Sequence, residues 1–216
     1  MEGLERIKAS NRPIGIISGG SYGWAACLVR LLPVDVFVFE NGAGYFSKEA
    51  GRIHLSDVGQ RDDRKELTFI FSELKKEFPE LKLAADDDLR RFDCAIDIGQ
   101  EQHVTPEIVQ AVLDLLAEKP GIQARPSSIH INFWKGNYSK ASTLDVWRTT
   151  KGIPKENSLY VGDSLNDEPL FAEYKMSVGV ANVARHLARM KNRPVWILQG
   201  EGGNGFAELA DLICRR

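Results

Sequence analysis

Asp163, Ser164, Asn166 and Asp167 fall within five positions of one another in Y-V-G-D-S-L-N-D-E-P-L-F, residues 160–171. Two carboxylates, a hydroxyl and an amide at that spacing supply oxygen ligands for a hard cation such as Mg2+, which completes its shell with waters and substrate phosphate. The same residue types cap helices, so a purely structural reading of Asp163 and Asp167 stands beside the chemical one. A second polar turn, Ser18-Gly19-Gly20-Ser21, suits phosphate, because its backbone amides and the Ser18 hydroxyl can hold a phosphate oxygen at a helix start. Gly19-Gly20 equally serves only to turn the chain.

The elements that must position these groups flank them. Ser158–Val161 is a short apolar run that stops at Gly162 and is followed by a helical pattern over Pro169–Tyr174. It reads as a buried parallel strand whose carboxyl end carries the acidic loop, where ligands sit in open α/β sheets. Pro13–Ile17 is a second such strand, running into the Ser18–Ser21 turn and a helix over Tyr22–Leu31; Val34–Phe39 is a third, closing at Glu40-Asn41-Gly42-Ala43-Gly44. Ahead of them, Leu4–Ala9 has a helical pattern.

From Tyr45 to Trp134 the texture changes. Alternating runs at 52–55, 81–84, 94–98 and 128–133 predict strands with one wet face. Periodic apolar positions predict helices over Arg64–Glu77 and, behind a Thr105-Pro106 start, over Thr105–Glu118. After this insert come a helix at Lys140–Thr150, strands at 177–180 and 194–198, a Gly200–Gly205 turn and a closing helix, Phe206–Cys214. The expected fold is α/β: a doubly wound parallel-sheet core from residues 1–44 and 135–216, with right-handed crossovers, and an inserted α+β cap from 45–134.

Composition narrows the partners. Lys and Arg number 28 against 30 Asp and Glu, so no strong field points to nucleic acid or an anionic membrane. Cys27, Cys94 and Cys214 are odd in number and widely spaced, which reads as reduced thiols in a cytoplasmic protein. No apolar run approaches the roughly 20 residues of a membrane span, and the charged, helical start does not read as a signal peptide. Nothing here separates a monomer from a homodimer.

Several segments follow one another in a set order: I-I-S-G-G (16–20), F-E-N-G-A (39–43), the lysine at 140 in G-N-Y-S-K-A-S, G-D-S-L-N-D-E-P-L-F (162–171), S-V-G-V-A-N-V (177–183) and G-G-N-G-F-A-E-L (202–209). This order resembles the haloacid dehalogenase superfamily, and within it the Cof-like and sucrose-phosphatase-like phosphatases with a large α+β cap after the third strand. The resemblance spans essentially the whole chain. It implies an Mg2+-dependent phosphatase of small phosphorylated metabolites such as sugar phosphates, acting through an aspartyl-phosphate. By position it gives Ser18 and Gly19 to the phosphoryl group, Lys140 to neutralising phosphate and nucleophile, Asp163 to the metal, and Asn166 with Asp167 to the acidic loop around the metal, Asp167 also having a catalytic part. Gly20 stands where many relatives have arginine.

One part of the family pattern has no match. Its nucleophile and general acid are an aspartate pair, D-x-D, ending the first strand, and only Glu2 and Glu5 precede Ser18 among acids. Asp35 aligns with the third strand instead. Since the first strand lies between those ending at Ser18 and Asp163, its loss strips both of a ladder partner, at about 1–3 kcal/mol per unpaired buried group. Either the two pair directly, another chain fills the gap, or the native protein has an N-terminal segment absent from these 216 residues; the last is the expectation, and with it weak or no activity for this form. The alternative is a non-catalytic phosphate-ligand or interaction protein. A Rossmann-type nucleotide module is disfavoured, as no G-x-G-x-x-G follows a strand.

The cap of this branch supplies substrate contacts. Arg90 and Arg91 are candidates for a second anionic group, His130 and Asn132 share one strand face, and Trp134 could stack on a sugar or pack as core. His103 is a weaker candidate.

Overall fold

A computed structural model describes residues 1–214. Helix α1 (Glu2–Ala9) leads to β1 (Gly15–Ile17), α2 (Tyr22–Leu31) and β2 (Val36–Phe39), then a β3 (Gly44–Glu49)–β4 (Arg52–Asp57) hairpin. Helix α3 (Asp63–Glu77), β5 (Lys82–Leu83) and β6 (Asp93–Asp97) follow, then α4 (Pro106–Ala117), β7 (Ile122–Pro126) and β8 (His130–Lys135). The chain ends in α5 (Lys140–Thr150), β9 (Leu159–Gly162), α6 (Glu168–Glu173), β10 (Met176–Gly179), β11 (Trp196–Ile197) and α7 (Gly202–Cys214). Contacts divide it into two units, one of Gly15–Leu31 with Asp35–Leu144, the other of Met1–Ile14, Leu32–Val34 and the residues from Asp145 onward.

The first unit holds two sheets. In one, β1 pairs in parallel with β2, and β3 and β4 continue it antiparallel. The run at 52–55, read from the sequence with the insert's strands, therefore extends the β1–β2 sheet. The other sheet has the order β5-β6-β8-β7, all antiparallel. Its register sets Cys94 opposite Phe133 and Ile96 opposite Ile131 on one face. Leu67, Ile70, Phe71 and Leu74 of α3 and Val112 and Leu116 of α4 bury that face, as their helical spacing requires. Thr105 and Pro106 start α4 as expected. The opposite face brings Asp93 against Trp134, Ala95 against Asn132 and Asp97 against His130. That face was expected to be wet. It is buried along all of β6, because polar partners from neighbouring turns cover it.

In the second unit β9, β10 and β11 form a parallel sheet in the order β11-β10-β9, and α1 packs with α7. Val178, Val180, Leu198 and Leu209 make one small core cluster there, and Phe171, Val183 and Met190 another. β9 was expected to be buried; as an edge strand it is only partly covered. Among the described residues β1 has β2 as its one ladder partner and β9 has β10. The last helix begins inside the expected Gly200–Gly205 turn. Glu208 explains this: its carboxylate accepts the N–H groups of Gln199 and Gly200 at 3.0 Å, folding residues 199–201 back over the helix start. Gly205 permits it, since a Cβ there would stand 2.3 Å from the Gly200 carbonyl oxygen.

Candidate functional site

Ser18 continues β1 by donating its N–H to the Val38 carbonyl at 2.9 Å. Its hydroxyl oxygen accepts the Gly20 N–H at 2.9 Å, which leaves the hydroxyl proton able to meet an incoming acceptor. The Ser21 N–H is turned to Asp86 Oδ2 at 3.4 Å. Of the turn amides expected to cradle phosphate, that of Gly20 is taken by Ser18 and that of Ser21 by Asp86.

The turn at Glu40-Asn41-Gly42 fastens to it. Glu40 donates its N–H to the Gly20 carbonyl at 3.0 Å and Asn41 to the Ser18 carbonyl at 3.3 Å. A Cβ on Gly19 would stand 3.0 Å from Asn41 Oδ1, so the two turns lie in contact. Glu40, Asn41 and Gly42 have φ of 43°, 57° and 107°. Such left-handed backbone is costly for a glutamate and persists only where the surroundings over-determine it. At Gly42 a side chain has no room: a Cβ would lie 2.3 Å from the Ser139 carbonyl oxygen and 2.8 Å from the Lys140 nitrogen. Thr143 Oγ1 adds a 2.6 Å bond to the Gly42 carbonyl. The start of α5, where the half-buried Lys140 stands, is therefore set against the same turn that holds Ser18.

Glu40 itself was not singled out from the sequence. It is fully buried, and its carboxylate accepts the N–H groups of Tyr22 at 2.7 Å, Arg91 at 3.0 Å, Phe92 at 2.7 Å and Asp93 at 3.2 Å. Burial, then the nearby Asp93 charge, push its pKa up from 4.5 to about 7, against the pull of those N–H groups. Asp93, also fully buried, accepts from Arg90 Nη1 at 2.9 Å, Asn41 Nδ2 at 3.1 Å and Asn132 Nδ2 at 3.3 Å. Burial raises its pKa as well. The signal available was the acid following the apolar run V-F-V-F, which reads as a solvated strand end when no partner is visible.

Arg90, expected to grip a substrate anion, is 5% exposed and already engaged. It binds Asp86 and Asp93 and donates to the Gly19 carbonyl at 3.1 Å. Burial opposes its charge, but those carboxylates hold the guanidinium ionised. Arg91 instead lies over the Tyr22 ring at 3.4 Å. His130 and Asn132 share the face predicted for them, but both are buried. His130 Nε2 is 2.7 Å from Gln100 Oε1, and burial lowers its pKa. Trp134 packs as core, stacked on Tyr138 at 6.0 Å.

The second unit carries the acidic loop. Asp163 and Asn166 are exposed at the end of β9. Asp167, read from the sequence as a metal ligand with a catalytic part, has both carboxylate oxygens in use. Oδ1 accepts the Tyr160 hydroxyl at 2.5 Å, while Oδ2 accepts the Asp163 and Ser164 N–H groups at 2.9 Å and the Ser164 hydroxyl at 3.1 Å. This is a capping box around Leu165–Asp167. A Cβ on Gly162 would stand 2.5 Å from the Asp167 carboxyl carbon, so that glycine lets the brace close. Desolvation by the surrounding loop and the Asp167 charge raise the Asp163 pKa. A carboxylate so placed beside a second one is relieved by a cation, and a magnesium ion needs only one or two protein carboxylates when a phosphate completes its shell. The donor set fits that ion: the Asp163 carboxylate is open to solvent, while Asp167 braces the loop beside it. Among the described residues no three His, Cys, Asp or Glu form a self-sufficient metal cluster.

The model of the haloacid dehalogenase-like hydrolases matches residues 28–192. The chain belongs to that family. Among solved structures, a Thermoplasma acidophilum protein is 16% identical over 96% of this chain and 87% of its own, with a TM-score of 0.76. A haloacid dehalogenase-like hydrolase from Bacteroides thetaiotaomicron is 16% identical over 98% and 90%, TM-score 0.73. The sucrose-phosphatase of Synechocystis, solved with sucrose and phosphate, is 16% identical over 98% and 88%, TM-score 0.68. No curated protein sequence matches the chain. These likenesses show the haloacid dehalogenase fold, a Rossmann-like α/β core with an α+β insert, as the sequence led one to expect. The described residues of this hydrolase include no helix long and apolar enough to cross a membrane.

Proposed function

We propose that this haloacid dehalogenase-like hydrolase is an Mg2+-dependent phosphatase of small phosphorylated metabolites, sugar phosphates among them. The observation that carries the reading is the Glu40–Gly42 turn, which bonds to the Ser18 turn on one side and packs against the Ser139–Lys140 backbone on the other. A hydroxyl donor and a lysine whose backbone meets the same turn are the kinds of group that a phosphoryl group, with charge spread over its oxygens, requires. Family membership and the sucrose-phosphatase likeness support the substrate class. Ser18 binds a phosphoryl oxygen, Lys140 neutralises its charge, and Asp163, with Asn166 beside it, holds the metal. Mg2+ supplies positive charge to the transferring group. Asp167 keeps the loop in shape. Covalent transfer also needs a carboxylate placed for in-line attack, and no aspartate stands ahead of Ser18 in these residues.

A second reading, a phosphate-binding protein without turnover, is favoured by that same lack. The two separate on hydrolysis of p-nitrophenyl phosphate and a sugar-phosphate panel in MgCl2. Weak turnover that is lost in Asp163→Ala is what the phosphatase reading predicts for these 216 residues. Phosphate binding with no turnover at all is what the second reading predicts.

A further inference from the structure

The Ser18 turn is gripped by a short piece of the insert. Asp86 and Arg90 flank a single 3-10 turn, Asp87–Leu89. From it Asp86 Oδ2 accepts the Ser21 N–H at 3.4 Å, and Arg90 Nη1 donates to the Gly19 carbonyl at 3.1 Å. Between these two contacts Leu89 packs on Gly23, where a Cβ would stand only 2.8 Å from the Leu89 Cβ. The guanidinium has little freedom. Its Nε and Nη2 bind Asp86 at 3.1 and 3.2 Å, and Nη1 binds Asp93 at 2.9 Å. Asp93 is in turn held by Asn41 from the second turn and Asn132 from β8. A buried charge pair of this kind gives little net stability, so its effect is better sought in the geometry it fixes.

We infer that Asp86 and Arg90 are positioning residues of the phosphate turn: they hold the Gly19 carbonyl and the Ser21 amide so that the Ser18 hydroxyl meets a phosphate oxygen. Arg90 then acts on the ligand through the backbone of Gly19 rather than by touching it. The inference rests on the reading of Ser18 as a phosphate contact.

Arg90→Lys tests it. Lysine keeps the charge between the two aspartates but lacks the planar fork that reaches both carboxylates and the carbonyl at once. Amide exchange at residues 19–22 is expected to quicken about tenfold while α3 and α4 keep wild-type rates, and affinity for inorganic phosphate titrated in MgCl2 to fall about tenfold. Should Arg90→Lys not fold, Asp86→Asn, which weakens the same grip from its more exposed end, is expected to shift both readouts in the same directions. If wild type binds phosphate, Ser18→Ala abolishes the binding, and the foldable variants match wild type in exchange and affinity, the positioning role is wrong while the phosphate reading stands. If exchange quickens equally in α3 and α4, the pair is a general stabiliser and the inference fails. Absence of phosphate binding by wild type removes the phosphate reading and this role with it.

Discussion

At Glu40 two opposed effects meet in one side chain: burial favours the protonated form, and four backbone N–H groups favour the anion. The balance leaves its pKa at about 7, with Asp93, Arg90 and Arg64 the charged groups about the pair. A carboxyl raised in the folded state is protonated there while the unfolded chain has already released its proton. Its contribution to stability is therefore full below about pH 4.5 and is lost as pH rises through about 7. Urea unfolding at pH 5 and pH 7.5 is expected to show the chain losing about 1–3 kcal/mol across that window. Glu40→Gln should be less stable at both pH values, because an amide nitrogen faces N–H donors, and its curve should be flatter over the window. A wild-type curve that rises between pH 5 and 7.5 would contradict the assignment.

The decisive element is the left-handed turn at Glu40–Gly42, which joins β2 to the Ser18 turn, to residues 91–93 and to the start of α5. Gly42→Ala meets the Ser139 carbonyl oxygen at 2.3 Å and carries a φ of 107°, so it is expected to cost about 2–4 kcal/mol in thermal or urea unfolding. Gly51→Ala has a φ of 76° but open space around its Cβ, and its cost should stay near 1 kcal/mol. Equal effects would mean that strain alone, not the contact with α5, demands glycine at 42. The elements themselves were largely legible: the α2 limits, Thr105-Pro106 as the start of α4, and the strands ending at Ile17 and Gly162 follow from apolar period and capping chemistry. Long-range pairing was not. Nothing local says that Arg90 turns inward to Asp93, that the 52–55 run joins β2's sheet through β3, or that Asp167 spends both oxygens on its own loop. Those outcomes depend on partners distant along the chain, or on a loop geometry that residue types alone leave open. β7 was missed because I-Q-A-R-P alternates too briefly and ends in proline.

At the scale of the whole molecule, Ser18 and Lys140 belong to one unit and Asp163 to the other. Each unit also presents a parallel strand, β1 or β9, with a single ladder partner among the described residues. The account requires that Ser18 and Lys140, which lie in one unit, serve one phosphate. Calorimetric titration of inorganic phosphate into the chain in MgCl2 tests this most directly. Saturable binding is predicted, weakened about tenfold or more in each of Ser18→Ala and Lys140→Ala. Binding that persists unchanged in both variants, or no binding by the wild-type chain, would contradict it.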